Sequence, residues 1–195
     1  MHKDIEMLQI VVRGLGPIKD KVVFVGGAIT TLYIDDLASP ESMPTEDIDC
    51  VFIVASQSSY ENLVENLRQQ KFKPPLDEEN PPMCRWIYNN IKVDVMFPDK
   101  KILGCTNDWY PDGIANAIES TLPSGDTIKI FSLPYFIASK LAAFHDRGGN
   151  DMRLSHDMED IVLVLGGSTL AQSLINEAPL SVKAFLSNEF RILLD

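Results

Sequence analysis

Two aspartates stand one residue apart in Asp47-Ile48-Asp49, at the head of an apolar run, Cys50 to Val54. Side chains alternate across a strand, so both carboxylates point to one face, with Cα atoms roughly 6–7 Å apart. Two like charges that close repel, and unpaired, at least one pKa rises. A divalent cation removes that problem. Magnesium takes oxygen ligands, accepts one or two carboxylates, and leaves its other positions to phosphate and water. A third carboxylate, Asp94, lies within Ile91-Lys92-Val93-Asp94-Val95-Met96-Phe97. Val93 and Val95 point to the opposite face, and an acid in the middle of a β-branched strand is unfavourable without a partner. If the two strands are neighbours, Asp47, Asp49 and Asp94 form one cluster able to hold two metal ions about 3.5–4 Å apart. Taken singly, Asp47 and Asp49 read equally well as a solvated strand end. Asp94 alone reads as an edge-strand residue, or as one paired with a lysine.

Gly26-Gly27 follows a short β-branched run, Lys21 to Val25, and precedes a predicted helix over Ala28 to Leu37. Glycines there let backbone approach a ligand closely, and a helix N-terminus presents free N–H groups to an anion. A tight turn with no ligand explains the pair equally well.

These residues need a scaffold. Ile5, Leu8, Val11 and Val12 have helical spacing over residues 3–14, with Gly14 as a stop. Strands are expected at 21–25, 47–54, 84–88, 92–97 and 127–131, and a helix at 58–70. Asn89-Asn90, a pair that tolerates positive φ, joins the third and fourth strands. Residues 39–44, 73–82 and 98–113 read as loops. From Leu133 onward the pattern is helical, with candidates at 133–146, 155–165, 168–176 and 179–193. Pro134 near the start and Gly148-Gly149 past the end frame the first of these. The expected class is α/β (α+β): residues 1–131 form the sheet-containing core, and 132–195 a helical part packed on it.

The 195 residues fit one such unit, with 45% hydrophobic and 23% charged residues, which excludes disordered and collagen-like classes. A formal net charge of −11 provides no global field for nucleic acid and disfavours anionic membranes. Asp4 and Glu6 interrupt the region where a signal peptide would turn apolar, and Ile161 to Leu165 is too short to span a bilayer. The three cysteines, Cys50, Cys84 and Cys105, are widely spaced with no CxxC pair. They read as free thiols in a reducing cytoplasm.

The joint order of these features resembles a known pattern. Val23-Phe24-Val25-Gly26-Gly27-Ala28, then Thr45-Glu46-Asp47-Ile48-Asp49, then Val93-Asp94-Val95 is similar to the nucleotidyltransferase superfamily signature hG[GS]…DxD…D. Thr45-x-Asp47-Ile48-Asp49 resembles in particular the AbiEii-like abortive-infection toxin branch. So do Ser139-Lys140-Leu141-Ala142-Ala143-Phe144 with Arg147, then Asp157 and Asp160-Ile161. The loop before Thr45 lacks the arginine that relatives often carry there.

The resemblance implies a nucleotidyltransferase-type mixed sheet flanked by helices. It also implies Mg2+-dependent transfer of a nucleoside monophosphate from a nucleoside triphosphate (NTP) to an acceptor. Asp47 and Asp49 would hold the metal on the triphosphate. Asp94 would ligate a second ion and assist deprotonation of an acceptor hydroxyl. Gly26 and Gly27 would seat the phosphates, and Lys140 would neutralise their charge as a point cation. Arg147 reads more simply as a helix C-terminal charge. Asp157 and Asp160, three apart on one helix face, would position the lysine motif or lie on the surface. The acceptor stays open between a tRNA end, a protein side chain and a small molecule, and an antitoxin partner belongs to the same branch.

Two other readings compete. His145-Asp146 and His156-Asp157 are pairs of the kind that build HD-type phosphohydrolase metal sites, although such a site needs more histidine than this chain carries. A non-catalytic binding module on the same fold is the second.

Overall fold

The computed structural model describes residues 2–53, 57–76, 79–99, 106–148 and 151–194. Val54 at the end of the second predicted strand, Cys105, Gly149 and parts of the predicted loops 73–82 and 98–113 lie outside the described residues.

The N-terminal helix α1 (Lys3–Leu15) buries Ile5, Leu8, Val11, Val12 and Leu15 along one stripe. His2 caps it by accepting from the Asp4 N–H. A 3-10 segment, Gly16–Lys21, leads into β1 (Val22–Val25), whose four residues are all buried. A strand covered on both faces reads as a continuous apolar run, which Val22-Val23-Phe24-Val25 is.

β2 (Asp47–Phe52) runs antiparallel to β1 and α2 (Gln57–Gln69) follows it. β3 (Arg85–Tyr88) and β4 (Ile91–Met96) form a hairpin in which Tyr88 faces Ile91 and Arg85 faces Asp94. The turn residues Asn89 and Asn90 have φ of 47° and 63°. Left-handed backbone at both central positions matches the right-handed twist of the flanking strands, and asparagine adopts it more readily than most residues. A short helix, α3 (Tyr110–Ala115), and a strand, β5 (Ile118–Thr121), precede β6 (Thr127–Ile130). Neither was expected from the sequence. α3 falls inside a predicted loop, and β5 is an edge strand with mostly exposed side chains and little apolar alternation to announce it.

The strand order is β3-β4-β2-β1-β6-β5, a six-stranded mixed sheet. β2 pairs with β4 in parallel and β1 with β6 in parallel, while β1–β2, β3–β4 and β5–β6 are antiparallel. The adjacency of the two aspartate strands, on which the three-acid cluster is conditional, is therefore present.

Four helices close the chain: α4 (Leu133–Asp146), α5 (His156–Gly167), α6 (Ala171–Glu177) and α7 (Leu180–Leu194). Gly148, past the end of α4, has φ of 99° and donates to the His145 carbonyl. Phe136, Ile137 and Leu141 of α4 belong to the same hydrophobic cluster as Val23, Phe24 and Ile29. The sheet and the helical part thus share one core. Among the described residues no single helix is long and apolar enough to cross a membrane.

The helix expected at 28–37 is instead a 3-10 segment, Gly27–Tyr33, leaving an extended path at Ile34. Thr30, Thr31 and Tyr33 carry weak helical preference, and burial of Ala28, Ile29 and Tyr33 fixes the local path.

The β3–β4 hairpin depends on its turn. Replacing Asn89 and Asn90 together by alanine should lower stability by about 1–3 kcal/mol, the cost of left-handed backbone with an unhelpful Cβ. Asn90→Gly should leave stability unchanged or raise it. Urea denaturation of the two variants checks both outcomes.

Candidate active site

The parallel register sets Asp49 beside Asp94 and Asp47 beside Lys92. One carboxylate oxygen from each of Asp47, Asp49 and Asp94 lies within 4.8 Å of the other two, the one such cluster found among the described residues. All three predicted acids therefore meet. Asp94 is buried, while Asp47 and Asp49 keep part of their surface exposed at the strand end. Thr45 Oγ1 donates to Asp47 Oδ1 at 3.1 Å, and the Thr45 N–H donates to Asp4 Oδ1 at 3.1 Å. A fully buried acid on α1 thus anchors the loop that orients Asp47.

The diglycine sits against this cluster. Val25 pairs with Asp49, so Gly26 emerges beside the Asp49 side chain. Gly26 has φ of 72°, and a Cβ there would fall 2.1 Å from Asp49 Oδ2. Only glycine leaves the carboxylate its space. Gly27 lies behind it, where a Cβ would stand 3.4 Å from Thr45 Cβ and 3.5 Å from Asp160 Oδ2.

Lys140 reaches the same region from α4. Its Nζ is 2.6 Å from Asp160 Oδ2 and 3.2 Å from Asp157 Oδ1. Thr30 Oγ1 donates to Asp160 Oδ1 at 3.2 Å, and Arg147 donates to Asp157 Oδ2. Asp157 and Asp160 are thus the partners of the lysine motif rather than surface charges. Burial alone would pull the Lys140 pKa down, but Asp160, Asp157 and, more weakly, Asp49 outweigh it and raise the value. The lysine stays charged.

Arg85, not among the residues expected at the site, joins it from β3. Its Nε donates to Asp94 Oδ1 at 2.9 Å and its Nη2 to Asp94 Oδ2 at 2.8 Å. Asp94 is therefore paired with an arginine, not a lysine. The signal was present: a two-residue turn at Asn89-Asn90 places Tyr88 opposite Ile91, and counting back along both strands places Arg85 opposite Asp94.

The histidine pairs build nothing together. His145 Nε2 lies 2.6 Å from Glu189 Oε2, and His156 stands exposed with Nδ1 3.4 Å from Glu159 Oε2. No histidine belongs to a metal-capable cluster among the described residues.

The three carboxylates fit a hard divalent cation. Desolvation raises the Asp49 pKa to about 7, with the charges of Asp47 and Asp94 adding to it. Burial is the larger cause, and the repulsion expected of acids brought together is the smaller one. Oxygen-only donors suit magnesium better than the softer transition metals.

An open groove of about 1120 Å³ lies between the loop around Asp36 to Ser42 and α5. Asp36, Glu41 and Glu159 contribute acid to its wall against Arg153 and His156, and Met158, Val162 and Leu163 contribute apolar surface. The same helix supplies Asp157 and Asp160 to Lys140, and the same loop continues to Thr45.

Comparison with known proteins adds the fold. No protein-family model matches the chain, and no curated protein matches its sequence. Among solved structures, the chain is similar to the antibiotic-resistance factor ANT(2'')-Ia, an aminoglycoside nucleotidyltransferase. The TM-score is 0.57 at 13% identity, over 97% of this chain and 96% of that one. The fold is the nucleotidyltransferase fold. All six strands precede Leu133, and four helices follow it.

The raised Asp49 pKa has a stability consequence. An aspartate in an unfolded chain titrates near ~3.9. With a native value of about 7, the native state holds a proton over that window that the unfolded state has lost. Stability of the metal-free protein should therefore fall as pH rises from ~4 through about 7. Thermal midpoints in EDTA at pH 5.5 and 8 should differ in that direction. Asp49→Asn should shrink the difference by at least half and raise the midpoint at pH 8.

Proposed function

We propose that the protein is a Mg2+-dependent nucleotidyltransferase that moves a nucleoside monophosphate from an NTP to an acceptor hydroxyl, releasing pyrophosphate. The convergence of Asp47, Asp49 and Asp94 beside Gly26 carries this reading. A likeness of fold to an aminoglycoside nucleotidyltransferase supports it.

Asp47, Asp49 and Asp94 are the residues that would hold the metal. When bound, Mg2+ would neutralise triphosphate charge and favour in-line displacement at phosphorus, chemistry that needs positioning more than covalent help. The chain's own groups do the rest. Gly26 leaves room for the Asp49 carboxylate, and Gly26 and Gly27 offer backbone for close approach of phosphates. Lys140, held charged by Asp157 and Asp160, places a cation on the helical side of the site. Residues 1–131 act as the catalytic core, and 132–195 supply that lysine.

The acceptor we favour is a small molecule. A net charge of −11 opposes a long polyanion such as tRNA, and the groove beside α5 combines apolar surface with three acids to one arginine, which suits a cationic or amphipathic compound. A toxin role with an antitoxin partner, and a cytoplasmic setting, rest on the sequence resemblance and the free thiols alone.

Incubation with each of four NTPs labelled at the α-phosphate, Mg2+ and fractionated cell extract tests the activity. Label should enter the small-molecule fraction with stoichiometric pyrophosphate. Asp49→Ala should cut the rate by roughly a thousandfold or more, the scale of removing transition-state charge stabilisation, while circular dichroism stays unchanged. Full activity in that variant, or no label in any fraction, would sink the assignment.

A further inference from the structure

Arg85 has no part in the chemistry above, yet it is in direct contact with two of the three acids. It projects from β3, the edge strand of the sheet, across the hairpin onto Asp94. Both Asp94 oxygens accept from its fork, at 2.9 and 2.8 Å, and the same Nη2 lies 3.5 Å from Asp47 Oδ2. One guanidinium therefore bridges two members of a three-carboxylate cluster. The pair is sheltered, with side-chain exposures of 16% for Arg85 and 11% for Asp94. It is thus not a loose surface ion pair of negligible worth.

Two physical consequences follow. A side-on fork uses a lone pair on each Asp94 oxygen, and those pairs are then withdrawn from any other cation. The guanidinium also carries a full positive charge, fixed because arginine does not deprotonate in proteins, within contact distance of two metal-ligand candidates. At such distances like-charge repulsion of a divalent ion is substantial even with partial solvent screening.

We propose that Arg85 is the resident counter-ion of the carboxylate cluster. It holds Asp94 and Asp47 in place while no metal is bound, and it competes with the metal, so that metal binding and release of the Arg85 fork are linked. The inference rests on the reading of Asp47, Asp49 and Asp94 as metal ligands. It makes Arg85 a positioning residue that weakens capture of free metal.

Binding of Mn2+ to the full chain, without nucleotide, tests this directly by electron paramagnetic resonance of the free ion. Arg85→Met keeps length and removes the charge. It should bind Mn2+ at least tenfold more tightly than the wild type. Its thermal midpoint should fall in EDTA and rise more on adding Mn2+ than the wild-type midpoint does. Arg85→Lys keeps a charge without the fork and should lie between the two, and it serves alone if the methionine variant does not fold. Mn2+ affinity equal to or weaker than wild type in the folded variants overturns the role of Arg85 while leaving the metal site standing. No Mn2+ binding in any protein, wild type included, overturns the metal reading and this inference with it.

Discussion

Three negative charges gathered at one end of a sheet are a cost that something must offset, and much of this structure is arranged around that cost. Parallel pairing of β2 with β4 puts Asp49 beside Asp94, and period-2 alternation puts Asp47 on the same face. The apolar residues between them, Ile48, Val93 and Val95, are locked in the core, so the acids cannot turn away without unseating the sheet. Burial, with the neighbouring charges of Asp47 and Asp94 adding to it, pushes the Asp49 pKa to about 7. Arg85 offsets part of the cluster's charge from the hairpin side.

A second charge network, from the helical part, meets the first. Asp157 and Asp160 on α5 hold Lys140 of α4, and Thr30 reaches Asp160 from the segment after the diglycine. Near Gly27 the two networks come together, since Thr45, which orients Asp47, and Asp160 both flank that glycine. The N-terminal helix joins through Asp4, which accepts from the Thr45 backbone. Sheet, C-terminal helices and α1 thus bear on the same few ångströms. A shared core makes this stable: Phe136 and Leu141 of α4 belong to the same buried cluster as Phe24 and Ile29.

The site was legible in the sequence to the extent that strand geometry determines it. Asp47, Asp49 and Asp94 follow from alternation plus one assumed pairing, and the pairing is the one the fold adopts. The helices after Leu133 were plain because their apolar spacing is long and regular. Arg85 escaped because its role depends on cross-strand register, which the Asn89-Asn90 turn encodes only when both strands are counted together. Asp4 escaped because an acid in the first turn of a helix ordinarily faces solvent near the positive dipole end, and its burial comes from the distant Thr45 loop. The segment after Gly27 reads as an α-helix in the sequence, whereas tertiary packing draws it into the tighter 3-10 form. Strand β5 has mostly exposed side chains and gave no periodic signal.

Nucleotidyl transfer at this site requires divalent cations to bind between these carboxylates. Crystals soaked in Mn2+ with a non-hydrolysable NTP analogue, measured for anomalous scattering, address this most directly. A peak bridging Asp47, Asp49 and Asp94, with analogue phosphate completing its coordination, is the predicted result. A well-ordered analogue with no anomalous density among the three aspartates, or manganese bound elsewhere, would contradict it.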